Sequence, residues 1–255
     1  MCLIVVAFES AAEYPLLVAA NRDEFHARPS HAADWWADDK DIVGGRDLQA
    51  GGTWLGLHRS GRFAAITNYR DAAPSRRGKR SRGLLVKEFL QGSVAPSDYL
   101  RSVDGEAYAG FNLLVSDGQT LASLSNRSGP PCELAAGVYG LSNATLDTPW
   151  EKVERSKRTL NAIIAGNAVN ETTLLRLLAD RDKGPAHEVT SEHLPFATAH
   201  AITAPFIVLP EYGTRCSTIV MVDRKGRWSL TERRFGQAGD TTGESRFSFD
   251  RVDRQ

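Results

Sequence analysis

Cysteine is scarce in this 255-residue chain, and its three copies, Cys2, Cys132 and Cys216, are odd in number and scattered. That pattern excludes a disulfide framework, and no Cys-x-x-Cys or Cys/His spacing indicates structural zinc. None of the six histidines stands at ligand spacing from a second His or Cys, so no metal site is expected. Net charge is also missing: Lys plus Arg and Asp plus Glu each number 31. No global field therefore draws the chain onto nucleic acid or an anionic membrane, and a small-molecule partner is expected instead. Long apolar runs are absent too. The opening stretch Cys2 to Phe8 has no basic leader and stops at Glu9, well short of the roughly 18 residues of a membrane span. A reducing, cytoplasmic setting without an integral membrane segment is the expectation; oligomeric state is left open.

The apolar residues that are present come in short, turn-punctuated runs. "CLIVVAFES" and "YPLLVAANRD" read as a hairpin of two buried strands, which brings Cys2 across from the segment that starts at Asn21. A loop around "ARPSHAADWW" is followed by a meander through "DIVGG", "GTWLGLH" and "RFAAITNY". "SRGLLVKEFLQG" then reads as a helix with Ser81 as N-cap and Gly92 as stop. Asp117-Gly118 and Lys225-Gly226 mark two more hairpins, and "GVYGLSNA" one more strand. Trp150, Val153, Leu160, Ile163 and Ile164 share a helical face, and "ETTLLRLLAD" adds a second helix. Residues 184–210 read as an irregular loop. Strands in runs and helices in runs argue for an α+β fold, two stacked sheets between two helical layers. One domain over 1–235 is expected, with 236–255 a polar, frayed tail.

The chemistry centres on Cys2. If Met1 is removed, one residue carries a thiol, with a reference pKa of about 8.5, and an α-amine of roughly 7.7–8.0 that can act as its base. A small core hydrophobe at the start of a strand is the ordinary alternative. "NRDE" ends the neighbouring strand: Arg22 can favour the thiolate, Asp23 can bind the α-ammonium, and Glu24 can brace Arg22. A solvated strand end is the plain reading of the same four residues. Asn68 and Asn143, each closing an apolar strand, can donate to an oxyanion or simply form turns. The glycine-rich segment 44–56 contains Arg46, Asp47, Gly52, Thr53 and Trp54. It fits neither a dinucleotide fingerprint nor a P-loop, but its glycines permit close backbone approach to a ligand. Arg215 can recognise a carboxylate or phosphate, and the basic run from Arg76 to Arg82 can hold an anion or form a solvated loop.

Taken together, "MC", "ANRDEF" with "RPS", "GRDLQAGGTWLG", "TNYR", "SRG", "LSNATLDTPWEKV" and "YGTRCSTIV" resemble the NRDE family, also called the transport and Golgi organisation protein 2 family. The resemblance runs from Cys2 to about Phe235. It implies a four-layer αββα sandwich of the N-terminal nucleophile hydrolase type, in whose cysteine members the exposed cysteine attacks a linear amide. Carried over, it implies Cys2 as nucleophile, Arg22 and Asp23 as the polar pair beside it, and Asn143 as the oxyanion-stabilising asparagine, with Asn68 a looser match. Asn21, Glu24, Arg46, Asp47, Gly52, Thr53, Trp54 and Arg215 are the expected substrate-binding set. Arg22 and Asp23 are adjacent here, whereas the acylases separate theirs. Two functions follow from the resemblance: a hydrolase of a linear amide or thioester of a small acylated compound, needing no cofactor, or a non-catalytic carrier of haem or acyl-CoA.

Overall fold

A computed structural model describes residues 2–71, 79–189 and 194–252. The first strands are β1 (Cys2–Ala11), β2 (Tyr14–Phe25), β3 (Ser30–Trp35), β4 (Ile42–Asp47), β5 (Leu55–His58) and β6 (Arg62–Asn68). Helices α1 (Gly83–Gln91) and α2 (Pro96–Ser102) follow, then β7 (Phe111–Ser116), β8 (Leu121–Ser125), β9 (Ser128–Leu134) and β10 (Gly137–Leu141). The chain continues through α3 (Glu151–Ala165), α4 (Glu171–Leu178), α5 (Phe196–Ala201), β11 (Tyr212–Val222), β12 (Arg227–Phe235) and β13 (Thr241–Asp250).

Two antiparallel sheets result, one of six strands in the order β10-β1-β2-β11-β12-β13 and one of seven in the order β3 through β9. Strand alternation explains how they stack. On β1 and β2, Ile4, Val6, Phe8, Leu16 and Val18 point toward the second sheet and meet Val43, Leu57, Phe63 and Leu114. Val5, Ala7, Leu17 and Ala19 point the other way, onto Leu160 of α3 and Leu174 and Leu178 of α4. The seven-stranded sheet covers its own outer face with Leu85, Phe89 and Leu90 of α1 and Leu100 of α2. Strands buried on both faces read as unbroken apolar runs, as β1 does. The architecture is the expected αββα sandwich.

Four expectations change. The segment after Phe25 is not all loop, because β3 pairs with β4. The C-terminal stretch is not frayed: β13 pairs with β12 from Arg227↔Asp250 to Phe235↔Thr241, and it seats Phe247 and Phe249 edge-on against Trp35. Its apolar residues are few because only one face of an edge strand is covered. Ser81 does not cap α1, whose N-cap is Arg82 without a side-chain cap bond; the Ser81 carbonyl accepts from the Leu84 amide instead. Most of the described residues in 184–210 stand outside helix and strand as expected, but they include the short α5.

Gly52 shows why the glycine-rich segment is needed. A Cβ there would stand 2.3 Å from the carbonyl carbon of Gly83 at the start of α1, a backbone atom that cannot swing aside. Gly52→Ala is therefore expected to lower stability by about 1–3 kcal/mol in urea denaturation, the usual cost of overpacking; an unchanged midpoint would show that the loop and helix part freely.

Candidate active site

Three strand ends converge on Cys2. In the β1–β2 hairpin Cys2 lies directly opposite Arg22, and β10 runs along the other edge of β1, with Leu141 opposite Ile4. Ser142 and Asn143 thus emerge from β10 beside Cys2. The Ser142 hydroxyl donates to the Cys2 carbonyl at 2.7 Å, and the Cys2 amide nitrogen donates to Asn143 Oδ1 at 3.3 Å. From the second sheet, β6 delivers Asn68, whose carbonyl accepts from Asn143 Nδ2 at 2.6 Å. That bond uses one of the two N–H groups of the Asn143 amide. The side-chain amide of Asn68 makes no hydrogen bond among the described residues.

Strand alternation sends Arg22 and Asp23 to opposite faces of β2. Arg22 joins Cys2 on the inner face and lies over the Trp54 ring at 4.2 Å. Asp23 turns toward the helical layer and accepts from the Thr214 hydroxyl at 2.7 Å. Behind it α3 buries Lys152, whose ammonium donates to the Ile202 carbonyl at 3.2 Å. Glu24 does not brace Arg22; it approaches Arg28 at 3.7 Å, and Arg28 in turn holds Asp47 at 2.6 Å.

A cavity of about 280 Å³ opens over Cys2. Arg22, Asp23, Glu24, Asp47, Thr53, Trp54 and Asn68 all line it, as the sequence reading expects. Four expected binding residues do not. Asn21 is a buried brace that donates to the carbonyls of Leu178 and Pro205 and accepts from Ser217. Arg46 pairs with Asp38 at 2.6 Å and lies over Trp36. Gly52 serves the contact with Gly83, and Arg215 donates to the carbonyls of Phe25, His26 and Arg28. Asn143 is buried and bonded to Cys2 and Asn68 beside the cavity. Arg28, Lys79, Arg80, Ser81 and Arg82 complete the lining, so the basic run does reach the site, although residues 75–78 lie outside the described residues. Lys152, Thr214 and Ser142 escape sequence reasoning, because their roles come from elements far away in the chain.

Burial sets the electrostatics. It pushes the Cys2 thiol above its ordinary value, and the opposing charge of Arg22 is too weak to reverse this. Arg22 acts in the expected direction, toward the thiolate, but desolvation outweighs its charge and the thiol stays raised. Burial also raises Asp23 to about 6, against the opposing charge of Lys152.

Between the ordinary 3.8 and about 6, folded Asp23 binds more proton than the unfolded chain, so its contribution to stability is full below 3.8 and lost as pH rises to 6. Asp23→Asn is expected to gain roughly 2–3 kcal/mol over the native protein across that window, then level off. Urea denaturation at a series of pH values checks this; parallel curves for the two proteins would refute the assignment.

The family model for Transport and Golgi organisation 2 matches residues 1–237. The chain belongs to this family. It is 38% identical to the Transport and Golgi organization protein 2 homolog of Bos taurus over 91% of this chain and 92% of that protein. The Homo sapiens homolog is 37% identical at the same coverage, and the Drosophila melanogaster Transport and Golgi organization protein 2 is 28% identical over 91% of each chain. Among solved structures, a conjugated bile acid hydrolase from Clostridium perfringens superposes with a TM-score of 0.54 at 10% identity, covering 97% of this chain and 92% of that one. The Caenorhabditis elegans N-acylethanolamine-hydrolyzing acid amidase ortholog gives 0.51 at 10% identity, over 86% and 92%. These two likenesses establish the N-terminal nucleophile hydrolase type of fold. Among the described residues, no helix of this family member is long and apolar enough to cross a membrane.

Proposed function

We propose that this family member is an N-terminal cysteine hydrolase cleaving a linear amide or thioester of a small acylated compound. The observation that carries the reading is the meeting of the Cys2 amide nitrogen with Asn143 Oδ1 at 3.3 Å, beside a cavity lined by both Cys2 and Asn68. A cavity of about 280 Å³ is near the lower end of small-molecule sites.

After removal of Met1, the Cys2 α-amine takes the thiol proton and the sulfur attacks the substrate carbonyl carbon, forming the C–S bond. Negative charge moves onto the carbonyl oxygen, where the remaining N–H of Asn143 and the amide of Asn68 are the available donors. The α-ammonium, held by the nearby carboxylate of Asp23, returns the proton to the leaving amine or thiol as the scissile bond breaks. Water then hydrolyses the acyl-sulfur bond, regenerating the thiol and releasing the acid. The raised thiol pKa supports this order of events, because an unassisted thiol in this setting stays protonated.

An acylating electrophile is expected to label Cys2 in preference to the exposed Cys132 and the buried Cys216. Peptide mapping of the labelled protein reads the result; labelling led by Cys132 would remove the case for an activated nucleophile.

The cationic lining of Arg28, Lys79, Arg80 and Arg82 also suits an anionic cargo, which supports a second reading as a carrier of a ligand such as haem or acyl-CoA. The two readings part on what is recovered: a carrier releases its ligand unmodified, a hydrolase releases acid and amine or thiol.

A further inference from the structure

Arg22 is unusual among the buried charges. It is 5% exposed, yet its guanidinium, with five N–H donors, makes one long hydrogen bond, to Ser30 Oγ at 3.5 Å. No carboxylate lies within ion-pair distance of it among the described residues. Arg215 lies nearby, half-buried: its Nη1 donates to three backbone carbonyls, and among the described residues no acidic side chain is within ion-pair distance of it. Burial and the Arg22 charge together disfavour its protonated form. A buried guanidinium without an ion-pair partner, beside a second, half-buried one, is costly, and the cost falls when an anion lies between them.

The space for that anion exists. A second cavity, of about 130 Å³, is lined by Arg22, Arg215, Arg234, Ser30, His31 and Thr242 among others. Arg22 and Trp54 line both cavities while Cys2 lines only the first of these two, so the Arg22–Trp54 stack is a shared wall. The carboxylate present, Glu232, is already engaged: its Oε1 accepts from the Ala33 amide at 2.8 Å and faces Arg234 at 3.4 Å. Three guanidinium groups thus face one committed carboxylate. At a water's share of roughly 30 Å³, the volume corresponds to about four waters, room for one tetrahedral oxyanion but not for an acyl chain.

We propose that this cavity binds a small oxyanion of phosphate size, held between Arg22 and Arg215 and supported by Arg234 and the hydroxyls of Ser30 and Thr242. Planar guanidinium forks match such an anion bidentately. The site stands independently of the hydrolase reading, since it lies on the other side of the wall from Cys2.

Calorimetric titration of inorganic phosphate into the full-length protein, against chloride at matched ionic strength, tests it. One saturable phosphate per chain is expected, weakened about tenfold or more by Arg215→Gln through loss of a charge-assisted bond pair. Circular dichroism checks that the variant folds, and Arg234→Gln serves the same purpose if it does not. Arg80→Gln, on the basic segment of the first cavity, is expected to leave binding intact. Absence of saturable binding to the native protein would overturn the proposal, as would binding lost with Arg80→Gln and kept with Arg215→Gln.

Discussion

Cys2→Ala is expected to fold and to hydrolyse nothing. The side chain sits at the start of β1 and is only partly buried, so losing its sulfur leaves the sheet pairing to Arg22 and the core behind it intact. The chemistry has no substitute. Cys216 is sealed in the core with its thiol pushed well up by burial, and Cys132 lies on β9, away from the cavity. Removing a nucleophile that works as a unit with its base costs on the order of 10⁶-fold in turnover. A panel of N-acyl amino acids and acyl thioesters, assayed with native and variant protein side by side, measures this. Comparable turnover in both would mean that the sulfur takes no covalent part.

Asn143→Ala carries the second large effect, and it divides between two measurements. The amide contributes to the transition state if it faces the developing oxyanion, so the variant is expected to lose about 10²–10³-fold in kcat with little change in KM. It also leaves the Asn68 carbonyl and the Cys2 amide nitrogen without their partner, which costs roughly 1–3 kcal/mol of stability. A variant that loses stability but keeps kcat would reduce Asn143 to a structural tie between the two sheets. Asn68 then becomes the donor to examine, since its side-chain amide is uncommitted and lines the cavity.

How legible this site is depends on sequence distance. The hairpin that sets Cys2 against Arg22 is local: two apolar runs and a short polar break predict it, and the register agrees. Asp117-Gly118 and Lys225-Gly226 are legible for the same reason, each turn residue needing the backbone freedom that Gly118 and Gly226 show with φ of 90° and 80°. The pairing of β10 with β1 is not local. Nothing in "GVYGLSN" says that it leaves the sheet of β7 to β9 and crosses to the other, yet that crossing is what brings Asn143 to Cys2. Likewise β13 hides in a polar composition because only Phe247 and Phe249 on its covered face are apolar contacts. Adjacent letters also mislead about faces: Arg22 and Asp23 read as a pair, but a strand separates them, so one serves the sulfur side and the other the helical side. Nothing in the sequence marks Lys152, and its burial behind Asp23 emerges only when α3 is laid on the sheet.

The most direct test of the whole account is the intact mass of the native protein. Loss of Met1 is the predicted result, giving Cys2 the free amine that acts as base in the proposed mechanism. A functional protein that keeps Met1 would contradict the central claim, because the sulfur would then have no base on its own residue.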